Sequence, residues 1–365
     1  METINQRREL ETPNIDKKIF FLGYYGFGNW GDELSLQSIL VDFDHLSQYK
    51  SFPLTYSVLV HDEEGCHHLP IEVHPVPRRN IFTVLSKITR ADYLVVGGGS
   101  LLQDTTSLRS LMYYFLLLWW ASIHHRPIIF YRCGLGPFRH PLSQRFVSFL
   151  LKKTSLFISR DRESSQLAIG LGCAPNRVFV GTDPVISNFS FLSRSSDEFQ
   201  RIAFFVRNCD ETKEKKLTEA LDYLRIGSKC EIELVAFHRE YDQSIATRMA
   251  TTLGCQWKYF QDISEVGSYF SHLNAIFTMR FHPAILATLI DIPWFAIDVD
   301  PKIASFSRWW NQKNLIDWND LSQDTFLELY YHRQPVFKTN AEIKSQLFRL
   351  AEESRERLKQ YFLKA

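Results

Sequence analysis

Residues 17–33 read KKIFFLGYYGFGNWGDE: an apolar run that breaks into three glycines, Gly26, Gly28 and Gly31, and then into two acids. The stretch Ile19–Tyr24 has the aromatic and β-branched content of a buried strand, and the glycines permit a tight turn after it. Asp32 and Glu33 suit the first turn of a following helix, where the peptide dipoles favour negative charge. The spacing of the glycines matches the dinucleotide fingerprint GxGxxG. A pyrophosphate on that helix start would, however, meet Asp32 and Glu33. Two readings stand for the loop: a turn that packs helix on sheet, or an acceptor-sugar loop in which Asn29 and Asp32 bind hydroxyls.

Outward from this unit the chain repeats it. Strands are expected at Ile19–Tyr24, Tyr56–His61, Tyr93–Val96, Ile128–Arg132, Leu156–Ser159 and Arg177–Val180, with helical segments between them. After a Ser-rich stretch at Ser193–Asp197 the rhythm restarts at Ile202–Arg207, Ile232–Phe237, Trp257–Phe260, Ala275–Met279 and Trp294–Ile297. Strands alternating with helices predict parallel sheets covered on both faces. The expected fold is therefore α/β, two Rossmann-like domains facing a cleft in the glycosyltransferase-B-like arrangement. Their expected bounds are 1–192 and 193–335, with a C-terminal helix in 336–365 that packs back across the domains. That helix opens with the capping-box spacing Thr339–Glu342 and carries Ile343, Leu347, Leu350 and Leu358 on one stripe.

Composition narrows the function. The 42 Lys and Arg against 41 Asp and Glu leave a net charge of +1, too little to hold a nucleic-acid backbone. Any anion site must be local. Six cysteines without a CxxC pair and an N-terminus without an apolar core lead us to expect a reducing cytoplasm, at most at the inner face of its membrane. The apolar run Leu111–Ile123 is short of the roughly 20 residues that cross a bilayer. It reads as a buried helix, with a membrane or a partner at its Trp119–Trp120 end as the alternative. His67-His68 and His124-His125 lack metal-ligand spacing, and no GxSxG, P-loop or HExxH occurs.

In open α/β sheets ligands bind beyond the carboxyl ends of strands, so the search narrows to those positions. The third strand runs into Gly97-Gly98-Gly99-Ser100, followed by Gln103, Asp104 and Thr105, a bare backbone with polar groups beside it. Gly98, Gly99, Ser100, Gln103 and Asp104 join Asn29 and Asp32 as expected acceptor contacts. Arg132 is either a ligand contact or a surface charge. Arg160 and Asp161 follow the strand SLFIS, where a guanidinium suits a carboxylate or phosphate. Thr182-Asp183-Pro184 reads equally as a turn or as part of a site. In the second half Arg280 and His282 alternate after NAIFTM, and Asp298, Asp300 and Lys302 follow PWFAI.

Taken in order, the blocks GYYGFGNWGDE, VVGGGSLLQDTTS with LRSLMYYF, YRCGLGP, SRDRESS, GTDP, MRFHPAI and DVDPKIASF resemble the polysaccharide pyruvyl transferase family, from Gly23 to about Phe306. The resemblance implies a glycosyltransferase-B-like fold, phosphoenolpyruvate as donor, and no metal or other cofactor. It also implies a sugar or lipid-linked glycan acceptor that ends as a cyclic pyruvate ketal. Arg160, His282 and Lys302 match donor positions of that family, with Arg280 beside them. The chain departs from the pattern at Phe281 and Pro283, where leucine and alanine are usual, and at Arg132-Cys133, where a glutamine is usual. His282 and Arg280 are the expected catalytic residues, with Arg160, Arg280 and Lys302 on the donor. A nucleotide-sugar glycosyltransferase of the same fold and an inert glycan-binding protein are the competing classes.

Overall fold

A computed structural model describes residues 16–48, 53–62, 66, 69–105, 107–188, 201–332 and 340–364. The first half is a seven-stranded sheet: β1 (Lys17–Tyr25), β2 (Leu54–Val60), β3 (His74–Pro77), β4 (Tyr93–Gly97), β5 (Ile128–Cys133), β6 (Leu156–Ser159) and β7 (Val178–Val180). The second half is a six-stranded sheet: β8 (Arg201–Val206), β9 (Glu231–Ala236), β10 (Gln256–Tyr259), β11 (Ala275–Thr278), β12 (Trp294–Ile297) and β13 (Leu315–Ile316). The strand orders are β3-β2-β1-β4-β5-β6-β7 and β10-β9-β8-β11-β12-β13. Every pairing is parallel, with Ile19 opposite both Tyr56 and Tyr93 and Ile276 opposite both Ala203 and Trp294. Each order reverses once, beside β1 and β4 and again beside β8 and β11, which puts one binding crevice in each half.

The sequence does not announce two of these strands. β3 is HPVP, whose two prolines are tolerated because it is an edge strand and owes no full ladder of hydrogen bonds. β13 is only two residues long and has no period to read. The domain boundary expected at 192–193, the Ser193–Asp197 linker, Thr339 and His67-His68 lie outside the described residues.

Both sheets are packed on both faces. Phe20, Leu22, Leu94, Val96, Ile128 and Phe130 meet three helices, Ile81–Arg90, Leu108–Ile123 and Pro141–Leu151, on one face of the first sheet. Ile19, Phe21, Val95 and Ile158 meet the helix Trp30–Ser47 on the other. Side chains buried in this way each contribute about 1.5–3 kcal/mol. The halves join at the glycine loop, where Asn29 pairs with His238 in an isolated antiparallel bridge and the Arg239 amide donates to the Gly28 carbonyl at 2.9 Å. Trp30 and Leu34 of the first half then enter the core of the second. The helix Asn340–Lys364 puts Ile343, Leu347 and Ala351 in that same core and Leu358 and Phe362 in the core of the first half.

Candidate active site

The two crevices open onto each other, and the helix Phe281–Leu289 bridges them. It starts straight after β11, with Arg280 at its N-cap and His282 in its first turn. The imidazole of His282 lies against Gly31 of the first half. A Cβ on that glycine would stand 2.0 Å from Nδ1, so a larger residue would push the histidine out. His282 Nε2 is 3.3 Å from Ser35 Oγ and 3.7 Å from Asp183 Oδ2. The second distance is that of an ion pair, beyond a hydrogen bond. Burial alone would raise the Asp183 carboxyl, but His282, Arg160 and the Val185 amide outweigh it and hold it below the ordinary carboxylate range.

Cations gather around this histidine. Arg160 is buried at the end of β6, with Nη2 donating to Ser100 Oγ at 2.9 Å and Nε donating to Asp161 Oδ2 at 3.3 Å. Its guanidinium carbon is 5.4 Å from the centre of the Phe281 ring. The remaining nitrogen, Nη1, is buried and has no hydrogen-bond partner. Gly134 makes room for this arrangement, since a Cβ there would stand 2.2 Å from Ser100 Oγ and 2.6 Å from Arg160 Nη2. Lys302 stands in the first turn of the helix Pro301–Ser307 and is half-buried. Desolvation and the charge of Arg160 lower its ammonium from the ordinary value, against the pull of Asp300 and Asp32. Asp32 is buried and raised by desolvation, although His282, Lys302, Asn29 and Arg160 all pull it down. The arrangement brings Asp32, Asp183, His282, Arg160 and Lys302 into one cleft, with one guanidinium nitrogen of Arg160 left unpaired.

The other residues expected at the site have different occupations. Arg280 grips Asp242 with both Nε, at 2.9 Å, and Nη2. Asp242 also accepts from the amides of Phe237 and His238 at 3.2 and 2.9 Å. Arg280 therefore holds the first turn of the helix that carries His282, and its fork is filled. Asp104 accepts from the amides of Arg139 and His140 at 2.6 and 2.9 Å, which ties the loop after β4 to the loop after β5. Gln103 accepts from the Thr105 hydroxyl at 2.9 Å. Gly98 and Gly99 take φ of +67° and +58°, and Gly99 exposes its carbonyl to the Gly134 amide at 2.7 Å. Asn29 caps the helix Trp30–Ser47, accepting from Gly31 and donating to Asp32. Arg132 is neither a surface charge nor open to a ligand: it is fully buried, 3.0 Å from Asp42, and it holds the carbonyls of Thr182 and Asp183 at 3.0 and 2.6 Å. His124 is turned onto the Trp120 carbonyl at 2.9 Å and His125 is exposed. Among the described residues no group of three or more His, Cys, Asp or Glu is placed to hold a metal ion.

Sequence reasoning passed over two groups at this cleft, Arg207 and Ser35, and left Asp183 open between a turn and a site. Arg207 follows β8 and reaches Asp300 Oδ2 at 3.4 Å, and its place at a strand end was a readable signal. Asp183 had the same signal. Ser35 had none, because only the folded helix brings it to His282. Glu33 faces away from the cations, into a separate cavity of about 140 Å³ that also touches Gly28, Trp30, Arg239 and Tyr259. Burial raises its carboxyl to about 8 although the Gly26 amide donates to it at 2.8 Å. None of Arg160, His282 and Lys302 lines that cavity.

Solved structures with this fold are numerous, and three illustrate it. Staphylococcus aureus MnaA with UDP superposes with a TM-score of 0.69 at 12% identity, covering 95% of this chain and 97% of that one. UDP-GlcNAc 2-epimerase from Neisseria meningitidis bound to UDP-GlcNAc gives 0.63 at 10%, covering 94% and 99%. Anabaena HepE with UDP-glucose gives 0.60 at 16%, again covering 94% and 99%. At such identities the likeness shows the glycosyltransferase-B-like fold alone. No curated protein sequence matches the chain. The family profile named "Polysaccharide pyruvyl transferase", in contrast, matches residues 14–301, which includes every residue of the cleft named above except Lys302, one position beyond the match. By that match the chain belongs to the polysaccharide pyruvyl transferase family.

Proposed function

We propose that this chain moves the enolpyruvyl group of phosphoenolpyruvate onto two hydroxyls of one sugar, in a cell-surface polysaccharide or its lipid-linked precursor, and releases phosphate. The observation that supports this most is the buried Arg160 Nη1 without a partner, beside a Lys302 whose charge is already disfavoured. A buried donor left unpaired is costly, and two neighbouring cations repel. A small polyanion with separate carboxylate and phosphate groups relieves both at once.

In the proposed scheme Arg160 and Lys302 bind those two groups, and Arg207 adds charge from the second half. His282 delivers a proton to C3 of the enol, which leaves C2 electron-poor. The first sugar hydroxyl bonds to C2 and gives its proton to the same imidazole. The bond from C2 to the phosphate oxygen then breaks, and phosphate leaves with the electron pair under the two cations. The second hydroxyl closes the ketal on the resulting oxocarbenium centre and gives its proton to the departing phosphate. Asp183 stabilises the imidazolium form of His282 through the cycle. The loops of Asn29, Asp32 and Gly98–Ser100 face the acceptor. The scheme uses no metal, and it runs on the cytoplasmic side.

The test is a phosphate-release assay with phosphoenolpyruvate and a panel of nitrophenyl and lipid-linked sugars. Release that depends on a sugar, with the ketal found in the product, is the expected result. Turnover of a UDP-sugar without release from phosphoenolpyruvate would replace the proposal with a nucleotide-sugar transferase. Sugar binding with neither turnover would leave a binding protein.

A further inference from the structure

The helix Leu108–Ile123 is apolar all round, which is unusual for a helix on the outside of a sheet. Its inner side is accounted for by Leu111, Tyr114, Leu117, Leu118 and Ala121, all buried. Its outer side carries Leu108, Met112, Leu116, Trp119 and Ile123, spaced by four, four, three and four residues along one stripe. Apart from the half-buried Met112 these are exposed, Leu108 and Leu116 by 51% each. The neighbouring helices extend the surface: Ile81 and Phe82 stand exposed on one, and Leu142, Phe146 and Phe149 on the other. Nine of the sixteen large exposed apolar side chains of the described residues belong to these three helices. So much apolar surface on one side of a protein marks an interaction face.

The charge on that face is one-sided. Residues 78–90, 107–126 and 138–153 contain no Asp or Glu at all in a chain that is otherwise balanced. Exposed Arg79, Lys87 and Arg90 flank the first helix, Arg109 the second, and Arg139, Arg145, Lys152 and Lys153 the third. Apolar side chains ringed by long cations, with no acid among them, complement a sheet of anionic headgroups over hydrocarbon. A second copy of the same face would bring like charges together. Among the described residues no helix is long and apolar enough to cross a membrane, so the contact of this face lies along the surface.

Orientation adds a reason. In a parallel sheet each helix begins at the carboxyl edge of the strands, which is the edge that holds the cleft. The most exposed apolar residues of the outer helices, Phe82 at 84% and Leu142 at 62%, and the first residue of the central one, Leu108, sit at those helix starts. The loop Gly98–Thr105 runs from the end of β4 toward Leu108.

We infer that the outer face of the helices Ile81–Arg90, Leu108–Ile123 and Pro141–Leu151 docks on an anionic lipid bilayer, with the mouth of the cleft at the rim of the contact. A sugar carried on a lipid anchor would then reach the loop after β4 without leaving the membrane surface. The inference does not depend on which group the cleft transfers, because docking and turnover are measured separately.

Sedimentation of the full chain with vesicles tests it. The protein is expected to bind phosphatidylcholine vesicles that contain phosphatidylglycerol and to leave them as salt is raised. Binding to pure phosphatidylcholine should be weaker by about tenfold or more. The double substitution Leu116→Ser/Phe149→Ser and, separately, the triple substitution Arg145→Glu/Lys152→Glu/Lys153→Glu should each lower the partition coefficient at least about tenfold. Phosphate release on a water-soluble acceptor should stay at wild-type level in both. Equal binding to neutral and anionic vesicles, or no binding to either, would overturn the inference on the wild-type protein alone. A dimer in sedimentation velocity that Leu116→Ser/Phe149→Ser dissociates would overturn it in favour of a self-interface.

Discussion

Two clusters of this molecule are made from the same three residue types and stand at comparable strand ends, yet they are opposites. In one, Arg280 fills both oxygens of Asp242, the amides of Phe237 and His238 complete that carboxylate, and the His238 ring, its two nitrogens buried without hydrogen bonds, stands against Tyr241 at 4.5 Å between rings. In the other, Arg160 keeps an unpaired nitrogen, Asp183 keeps an oxygen with no hydrogen-bond partner, and His282 stands between the halves. An arginine, an aspartate and a histidine near a strand end do not make a site. What separates the clusters is whether the arginine and the aspartate spend their capacity on each other: Arg280 and Asp242 do, Arg160 and Asp183 do not, and only unspent charge can be given to a ligand.

Each substitution below either breaks that contrast or sharpens it. His282→Gln should lower kcat about 10²- to 10⁴-fold, the usual worth of a positioned acid–base, with the thermal midpoint nearly unchanged. A stable variant with wild-type turnover would reduce His282 to packing. Arg280→Ala should act on the fold instead, since it strands Asp242, and urea denaturation should show a loss of about 3–5 kcal/mol. A stable Arg280→Ala protein that has lost donor affinity would move Arg280 into the binding site.

Arg160→Ala or Lys302→Ala should weaken phosphoenolpyruvate binding by about 30-fold or more in calorimetric titration, without loss of stability. Unchanged donor affinity in both would remove the assignment. A further effect is in pH. Burial, and then the charge of Arg280, hold the His238 imidazole down at about 4, while an unfolded histidine titrates near its ordinary value. Between those values the unfolded chain binds the extra proton, so stability falls as pH drops through the window. Glu33, raised to about 8, works the other way by favouring the folded state at lower pH. The slope should therefore be read as wild type minus His238→Gln, and an identical slope in the two proteins would show that His238 does not titrate there.

Much of the fold was legible because its signals are local. Apolar runs such as Ile19–Leu22 and Ile128–Tyr131 and the glycines after β1 and β4 are each visible within about ten residues. β3 and β13 escaped because proline and brevity erase the period. The cleft was legible only as positions. The rule of strand ends picked out Arg132, Arg160, Arg280 and His282 alike, and nothing near Arg132 or Arg280 in sequence foretells their partners. Asp42 lies 90 residues from Arg132, and Asp242 lies 38 from Arg280. Asp104 likewise looked open until the loop holding Arg139 and His140 closed on it. Long-range pairing decides which polar groups stay available, and a linear reading does not contain it.

The helix Asn340–Lys364 limits how the cleft can move. At 25 residues it is a strut about 37 Å long, fastened near one end by Ile343 and Leu347 and near the other by Leu358 and Phe362. The Arg355–Asp42 contact at 2.7 Å rivets it to the first half and the Lys344–Asp291 contact at 2.7 Å to the second. Sliding one half past the other would pull an apolar anchor out of its core, and turning about the strut would strain the glycine loop, whose Trp30 and Leu34 are buried in the second core. The two halves are thus tied twice, by this strut and by the glycine loop, and His282 and Arg160 face each other between the two ties.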